Sequence, residues 1–254
     1  MKQILLGAML LGCWAVQAQA PATATDAVAV KDEPHHHLVF ENEFVRAFYV
    51  EIPMHQATLM HKHDLPYLAV ALGPSDVTNA VAGKPEVHAT FTDGQVNYSK
   101  GGFSHLVRTD DGMAFRNFTV ELLRPQGTPR NRCVAVVAGQ PLGDCPHGNP
   151  GVANGEPSPA SIKPLLETDE IVVESGVIAA GGSYTEAAGL PARLLLVLDQ
   201  STLTVESAGE PAKVLHTGEV LWIPARAKPT FANATAFQTC AFVLVEFLDD
   251  GGKD

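Results

Sequence analysis

The histidine pair His61 and His63, separated by one residue, is the pattern in this sequence with the clearest chemical meaning. Side chains of a β-strand alternate between its two faces, so both imidazoles would project from one face, about 7 Å apart along the strand. Two imidazoles on one face can bind one metal ion if a third ligand comes from another strand. The same spacing also fits two half-buried, hydrogen-bonded histidines, so spacing alone leaves both interpretations open.

The other histidines of the first half are weaker candidates for a site. Three in a row, at 35–37, could form a weak surface metal site, but they cannot all face one side of a strand, and we favour a solvated loop. His55 would lie about 20 Å along a continuous strand from His61, which is too far to bind the same ion. His88 stands in a predicted strand without an obvious partner, so we interpret it as exposed or hydrogen-bonded.

Length and composition indicate a globular protein. A chain of 254 residues allows one or two domains, and its apolar content is high enough for a real hydrophobic core. The net charge of −11 argues against nucleic acid or an anionic membrane surface as the partner. No segment after the first 20 residues is long and apolar enough to form a transmembrane helix.

The first 20 residues have the features of a secretory signal peptide. Lys2 supplies the positive start, the apolar run Ile4–Val16 is too short to span a bilayer, and Ala18–Ala20 fits a small-residue cleavage site. We therefore predict a periplasmic or secreted protein whose mature chain starts near Pro21. Lipidation at Cys13 is the less favoured alternative, because the residues before it match a lipoprotein signal poorly.

The cysteines that remain after cleavage fit an oxidising compartment. Cys133 and Cys145 flank a loop rich in proline and glycine, and we predict a disulfide between them. Cys240 lies in an apolar strand pattern and is predicted to be a buried free thiol.

Short segments rich in β-forming residues, separated by glycine, proline and aspartate turns, predict an all-β fold of the sandwich or barrel type. In the first half the predicted strands are Phe44–Ile52, Ala57–His63, Tyr67–Leu72, Glu86–Phe91, Gln95–Ser99, Phe103–Val107 and Phe115–Leu123. A segment rich in Gly, Pro, Asn and Ser, His147–Pro164, follows and is typical of a linker. After it the predicted strands are Glu170–Val177, Arg193–Leu198, Leu203–Glu206, Val220–Ile223 and Phe237–Phe247.

The two halves repeat each other weakly but in the same order. Leu65-Pro66 before an apolar strand is matched by Leu190-Pro191, and Val120–Leu122 by Val245–Phe247. We therefore predict two copies of one β domain. The resulting division is a signal peptide at 1–20, a flexible lead at 21–34, a first domain at 35–124, a connector and linker at 125–163, and a second domain at 164–250.

The first half resembles a cupin, a small jelly-roll barrel. His61 and His63 fit the His-x-His pair of the first cupin motif, and Gly73 lies close to its closing glycine. Where that motif has a glutamate, this sequence has Tyr67 or Leu68.

The second cupin motif is also present in the first half, in the right order and at the right separation. Gly94, Gly102 and His105 fall in place, while Lys100 and Thr109 stand where the motif has proline and asparagine.

The second half is similar to a degenerate cupin. Gly218 and Asn233 fit the second motif, but Pro229 replaces its histidine, and Glu186 and Ala188 stand near the His-x-His positions. We therefore expect no cupin-type metal in this half.

The resemblance implies two tandem double-stranded β-helix barrels with one metal site, formed by His61, His63 and His105. Three neutral imidazoles suit a divalent transition metal, with Fe(II) favoured and Zn, Mn, Cu or Ni as alternatives. Such a site is similar to that of three-histidine cupin dioxygenases and would favour a small, anionic, chelating substrate. Tyr67, a candidate catalytic residue, could approach the metal or donate a hydrogen bond to a bound substrate, and the alternative is a packed barrel residue. Glu121 is the other candidate to replace the missing glutamate.

The function implied by the resemblance is that of an exported metal-dependent dioxygenase or related oxidoreductase acting on a small molecule. The alternatives are a non-catalytic metal- or ligand-binding protein and a structural cupin without metal, since cupins include all three classes. Jelly-roll faces in this family often pair, so a homodimer is a further expectation.

Overall fold

The computed structural model describes residues 27–109, 112–145 and 159–248. The first half contains β1 (Val28–Ala29), β2 (His36–Glu41), β3 (Val45–Ile52), β4 (His61–His63), β5 (Tyr67–Ala71), β6 (Ser75–Val81), β7 (Val87–Phe91), β8 (Val96–Ser99), β9 (Phe103–Thr109) and β10 (Phe115–Leu122). The connector and second half contain β11 (Arg130–Asn131), β12 (Ala160–Glu167), β13 (Ile171–Ile178), β14 (Ser183–Thr185), β15 (Ala192–Val197), β16 (Thr202–Glu206), β17 (Lys213–His216), β18 (Val220–Ile223), β19 (Thr230–Ala232) and β20 (Cys240–Phe247). In the described residues the only helical element is a 3₁₀ turn, Val30–Asp32.

Each half folds into two facing sheets, which confirms the prediction of two tandem β barrels. In the first half, sheet A has the strand order β1-β4-β9-β6-β7, and sheet B has the order β2-β3-β10-β5-β8. In the second half, sheet C has the order β11-β12-β13-β20-β15-β18, and sheet D has the order β14-β19-β16-β17. Sequence neighbours such as β4 and β5 lie in opposite sheets, as expected of a jelly roll.

The two halves share one hydrophobic core, because sheets B and C pack against each other. Sheet B is therefore buried on both faces, and alternate residues along β10 point either into the first barrel or toward the second half. Burying a large aliphatic or aromatic side chain contributes roughly 1.5–3 kcal/mol, so this interface stabilises both barrels. The side chains at its centre include Val45, Ala47, Leu68, Val70, Phe118, Val120, Val173, Leu194, Leu196, Val243 and Val245.

Two segments have more structure than the sequence indicated. In the stretch interpreted as a flexible lead, Val28 pairs in parallel with His61, and Val30 is buried among the residues of the first barrel. Strand β12 begins at Ala160, within the predicted linker. It includes Pro164, which is accommodated at a register shift in the pairing with β13. The predicted signal peptide, and residues 146–158 of the linker, lie outside the described residues.

The cysteines are arranged as predicted. Cys133 and Cys145 form a disulfide across 12 residues of sequence, and Cys240 is a buried free thiol. The connector between the halves is tied to both of them: Arg130 pairs with Glu167 of β12, and the backbone N–H of Tyr98 donates to the carbonyl of Val136.

We expect the double variant Cys133→Ala/Cys145→Ala to lose about 2–3 kcal/mol of free energy of unfolding, because the disulfide restricts a short loop of the unfolded chain. Urea denaturation of both proteins measures the loss. A reductant should lower the stability of the wild type to that of the double variant and leave the variant unchanged. A wild type whose urea midpoint does not respond to reductant would contradict the prediction.

Candidate metal centre

Sheet A brings the three predicted ligands together. His61 and His63 lie on β4 and point to the same face, and the antiparallel pairing with β9 places His105 directly opposite His61. The ring centroid of His105 lies 4.6 Å from that of His61 and 5.0 Å from that of His63. All three rings are buried inside the first barrel.

A fourth histidine, His36, completes the cluster from sheet B. Its ring centroid is 4.8 Å from that of His61. His36, His61 and His63 each offer a ring nitrogen, and these nitrogens lie within 4.8 Å of one another. The interpretation of residues 35–37 as a solvated loop is therefore wrong for His36, which is buried on β2. The signal in the sequence was the apolar run that follows, because a strand starting in the histidine run must turn one of the three rings inward.

Three of the four rings are held through Nδ1. The Nδ1 of His36 is 2.7 Å from Oε2 of Glu33, and that of His61 is 2.9 Å from the carbonyl oxygen of Leu59. The Nδ1 of His105 is 2.8 Å from Oδ1 of Asn79. A partner on Nδ1 fixes the tautomer and leaves Nε2 unprotonated, which is how metal-binding histidines are usually oriented.

Glu33 is the anchor of this arrangement, and sequence reasoning did not single it out. Its carboxylate contacts the rings of His35 and His36 and accepts a hydrogen bond from the backbone N–H of Leu59, two residues before His61. Burial by itself would raise the pKa of Glu33, but the hydrogen bonds from His36, His35 and Leu59 lower it to about 2. A buried, ionised carboxylate therefore links β2 to the start of β4.

His61, His63 and His105 are neutral at neutral pH. Burial lowers the pKa of His61 to about 4, that of His63 to about 2 and that of His105 to about 3, and the neighbouring imidazoles lower each further. Neutral imidazole is the form that binds a metal ion.

Two buried ring nitrogens of the cluster have no hydrogen-bond partner. They are Nδ1 of His63 and Nε2 of His105, whereas Nε2 of His61 and Nε2 of His63 are hydrogen-bonded to each other at 3.1 Å. An unpaired buried polar atom costs roughly 1–3 kcal/mol, which a bound cation would relieve. The donor set therefore fits a divalent transition metal.

Tyr67 lies beside the cluster, whereas Glu121 is otherwise engaged. The ring of Tyr67 stacks on that of His63 with centroids 4.2 Å apart. Burial raises the pKa of Tyr67 to about 12, so its hydroxyl stays protonated. Glu121 is buried, but its carboxylate accepts a hydrogen bond of 3.0 Å from Arg46. The additional imidazole of the cluster comes from His36.

A cavity of about 380 Å³ opens from the cluster into the first barrel. This volume is in the range of small-molecule pockets. Its wall consists of the four histidines, apolar side chains and neutral polar side chains. Among the described residues that line it there is no Asp, Glu, Lys or Arg.

The second barrel has a different interior. Glu186 forms a buried ion pair of 3.0 Å with Arg193, and the aromatic rings of Phe231 and Phe242 pack against each other in the core of this barrel. Arg193 lies opposite Glu246 on the neighbouring strand, as Tyr67 lies opposite Glu121 in the first barrel. No metal-binding group of His, Cys, Asp and Glu occurs among the described residues of this half.

Solved structures share this two-barrel fold. AerE from Microcystis aeruginosa superimposes with a TM-score of 0.60 at 12% identity, covering 86% of this chain and 95% of AerE. Salicylate 1,2-dioxygenase from Pseudoaminobacter salicylatoxidans, in a structure with gentisate, gives 0.53 at 13% identity over 80% of this chain and 68% of the enzyme. Vicilin from Capsicum annuum gives 0.54 at 12% identity over 82% of this chain and 77% of vicilin.

The chain therefore has the fold of a two-domain cupin, with a histidine cluster in its first barrel that could hold a metal ion. No protein-family model and no curated protein matches the sequence.

The disulfide indicates an oxidising compartment. No helix in the described part of the chain has the length and apolarity needed to cross a bilayer.

The metal-free protein should lose stability as the pH falls below about 6.5. In the unfolded chain histidine binds a proton near that pH, whereas in the folded state the pKa values of His61, His63 and His105 lie at about 4, 2 and 3. The unfolded state therefore binds more protons in this range, which costs up to about 2 kcal/mol for each ring between pH 7 and pH 5. Urea denaturation across this range measures the slope.

The matched variants are His63→Gln and His88→Gln. His63→Gln should flatten the pH dependence, because it removes one buried titrating ring. His88→Gln should leave it unchanged, because His88 is exposed on β7. Equal slopes for His63→Gln and the wild type would contradict the assignment.

Proposed function

We propose that this protein is an exported, metal-dependent cupin oxidoreductase that acts on a small molecule in its first barrel. The observation that carries the proposal is the group of four buried histidines at one end of a cavity, two of them with a ring nitrogen that has no hydrogen-bond partner. Among the structural neighbours, the salicylate 1,2-dioxygenase structure supports oxygen chemistry in this fold. The predicted signal peptide and the disulfide support export.

His61, His63 and His105 would bind the metal, and His36, held by Glu33, would be a fourth ligand. Fe(II) is our first choice, but imidazole donors suit Zn, Mn, Cu and Ni as well. The bound ion would polarise a chelating substrate and, if redox-active, supply electrons for reaction with dioxygen.

The other residues of the cavity position the substrate. The protonated hydroxyl of Tyr67, next to His63, could donate a hydrogen bond to a negatively charged oxygen of the substrate. The apolar wall would exclude water and strengthen that interaction. Of the two roles predicted for Tyr67 from the sequence, we therefore propose that of a hydrogen-bond donor to the substrate.

The second candidate function is that of a non-catalytic binding protein. Vicilin from Solanum melongena, which shares the fold with a TM-score of 0.54, has different anionic ligands in structurally similar pockets. A cavity with a metal at one end would serve such a role as well. An assay for substrate turnover distinguishes the two functions, because only the oxidoreductase converts its ligand.

Single substitutions His61→Ala, His63→Ala and His105→Ala should each abolish stoichiometric binding of Fe(II), because each removes a ring from the centre of the cluster. His36→Ala should weaken binding at least about tenfold and leave three ligands. Metal content after anaerobic loading, measured by mass spectrometry, tests both expectations.

The controls are His88→Ala and His216→Ala, which alter exposed histidines of the first and second barrel. Both should bind the metal as the wild type does. If the wild type takes up none of the candidate ions at neutral pH, the remaining interpretation is a structural cupin without metal.

The loaded protein should consume oxygen with a small diketone, thiol or phenol, and Tyr67→Phe should lower kcat by roughly tenfold to a hundredfold. The phenylalanine retains the stack on His63 but lacks the hydroxyl. An oxygen electrode measures the rate, and metal content confirms that the variant is loaded. Unchanged kcat in fully loaded Tyr67→Phe would exclude the hydroxyl from the reaction.

A further inference from the structure

Two amides in the cavity wall have unused hydrogen-bonding atoms. Asn117 on β10 is more than nine-tenths buried, and its Oδ1 has no partner; Asn97 on β8 has a buried Nδ2 without a partner. Both residues line the cavity that opens from the histidine cluster. One atom is an acceptor and the other a donor, so together they offer what a carboxamide or hydroxyl group needs.

The strand order places these amides between the histidines and an apolar end. Along β10 the residues that face the barrel interior are Glu121, Thr119, Asn117 and Phe115 in turn. Glu121 lies opposite Tyr67, whose ring stacks on His63, so that end of the strand is the metal end.

At the other end of β10 the cavity is aromatic. Phe115 packs against Phe91 of sheet A, with ring centroids 5.6 Å apart, and Ile52 and Val77 surround them. Asn117 therefore lies between a metal-binding end and an apolar end.

Between the two amides the floor of the cavity is kept open by small side chains. Ala69 is paired with Asn97 across β5 and β8, and Ala71 is paired with Asn117 across β5 and β10. Alternate residues of β5 point to one face, so Ala69 and Ala71 both line the cavity beside the amides. A larger residue at either position would cover the amides.

The charge of the cavity limits what can bind. Since no Asp, Glu, Lys or Arg occurs among the described lining residues, a ligand's negative charge can be compensated only at the metal. A second ionised group, such as a remote carboxylate or phosphate, would be buried without a counter-charge, which is costly.

We propose that Asn97 and Asn117 form a neutral amide subsite, and that the substrate is a singly ionised chelator with an uncharged amide- or hydroxyl-type group and an apolar body. The inference rests on the proposed metal-dependent function and narrows its substrate class. It replaces the general expectation of an anionic chelating substrate with a molecule whose charge lies only at the metal end.

The test uses full-length mature protein loaded with Zn(II), which is redox-inert, and three benzohydroxamates with a 4-carbamoyl, 4-carboxy or 4-methyl group. The hydroxamate binds the metal in each, so only the remote group differs. Calorimetry should show the carbamoyl compound binding at least about tenfold more tightly than the carboxy compound.

The variants assign this preference to the amides. Asn117→Leu and Asn97→Leu should each weaken the carbamoyl compound by roughly fivefold to tenfold and leave the 4-methyl compound unchanged. Asn117→Asp keeps the volume and the acceptor, so it should retain carbamoyl binding and reject the carboxylate further. If Asn117→Leu does not fold, Asn117→Asp provides the test at this position.

The outcomes are distinct. A carboxy compound that binds as tightly as the carbamoyl compound, or a carbamoyl-to-methyl ratio that no Asn variant changes, would overturn the subsite while the metal site stands. Protein that takes up no Zn(II) and binds none of the three hydroxamates would overturn the proposed function and this inference with it.

Discussion

Histidine rings can be buried inside a barrel only while they are uncharged and correctly oriented, and the first half of this protein depends on that constraint. Burial keeps His61, His63 and His105 neutral, and a separate partner holds each Nδ1 of His36, His61 and His105. Glu33 connects the two sheets at this site, because it contacts the ring of His36 from sheet B and the backbone that precedes β4 in sheet A.

This anchor explains why the segment before β2 is part of the folded barrel. Val28 and Ala29 pair in parallel with β4, and Val30 is buried. This pairing places Glu33 within hydrogen-bond distance of His36 and Leu59. Parallel pairing between distant segments is non-local, and only the assembled sheet can produce it. The cluster therefore depends on contacts that no short stretch of the sequence contains.

The extent to which the sequence predicted the structure follows from the range of the interactions. The alternation of β4 is local, so His61-x-His63 and most strands of both halves were predictable from period and turn residues. Glu33 was not predicted, because the stretch before β2 has no period of its own, and its order comes from pairing with β4. His36 was missed because only its pairing with Val50 of β3 shows which ring of the histidine run turns inward. Pro164 looked like a linker residue, although β12 accommodates it at a register shift.

The buried ion pair of the second barrel escaped prediction for a similar reason. Arg193 stands in an apolar strand pattern, and only strand pairing shows that it meets Glu186 and lies beside Glu246. In the same way, the sequence gives no sign that Asn97 and Asn117 differ from other strand residues. Only the folded sheet B shows that both line one cavity.

The two barrels of one chain offer an internal comparison that bears on the structural interpretation. In the second barrel Arg193 supplies a tethered cation to Glu186, and the rings of Phe231 and Phe242 pack in its core. Buried polar atoms without a hydrogen-bond partner remain there too, namely Oε2 of Glu186 and Nε and Nη1 of Arg193, but each of these groups has the other beside it. In the first barrel the unpaired nitrogens of His63 and His105 lie beside an open cavity, and no Lys or Arg occurs among the described residues that line it. The difference between the barrels is therefore the cation: Arg193 supplies one in the second barrel, and the proposed metal ion would supply one in the first.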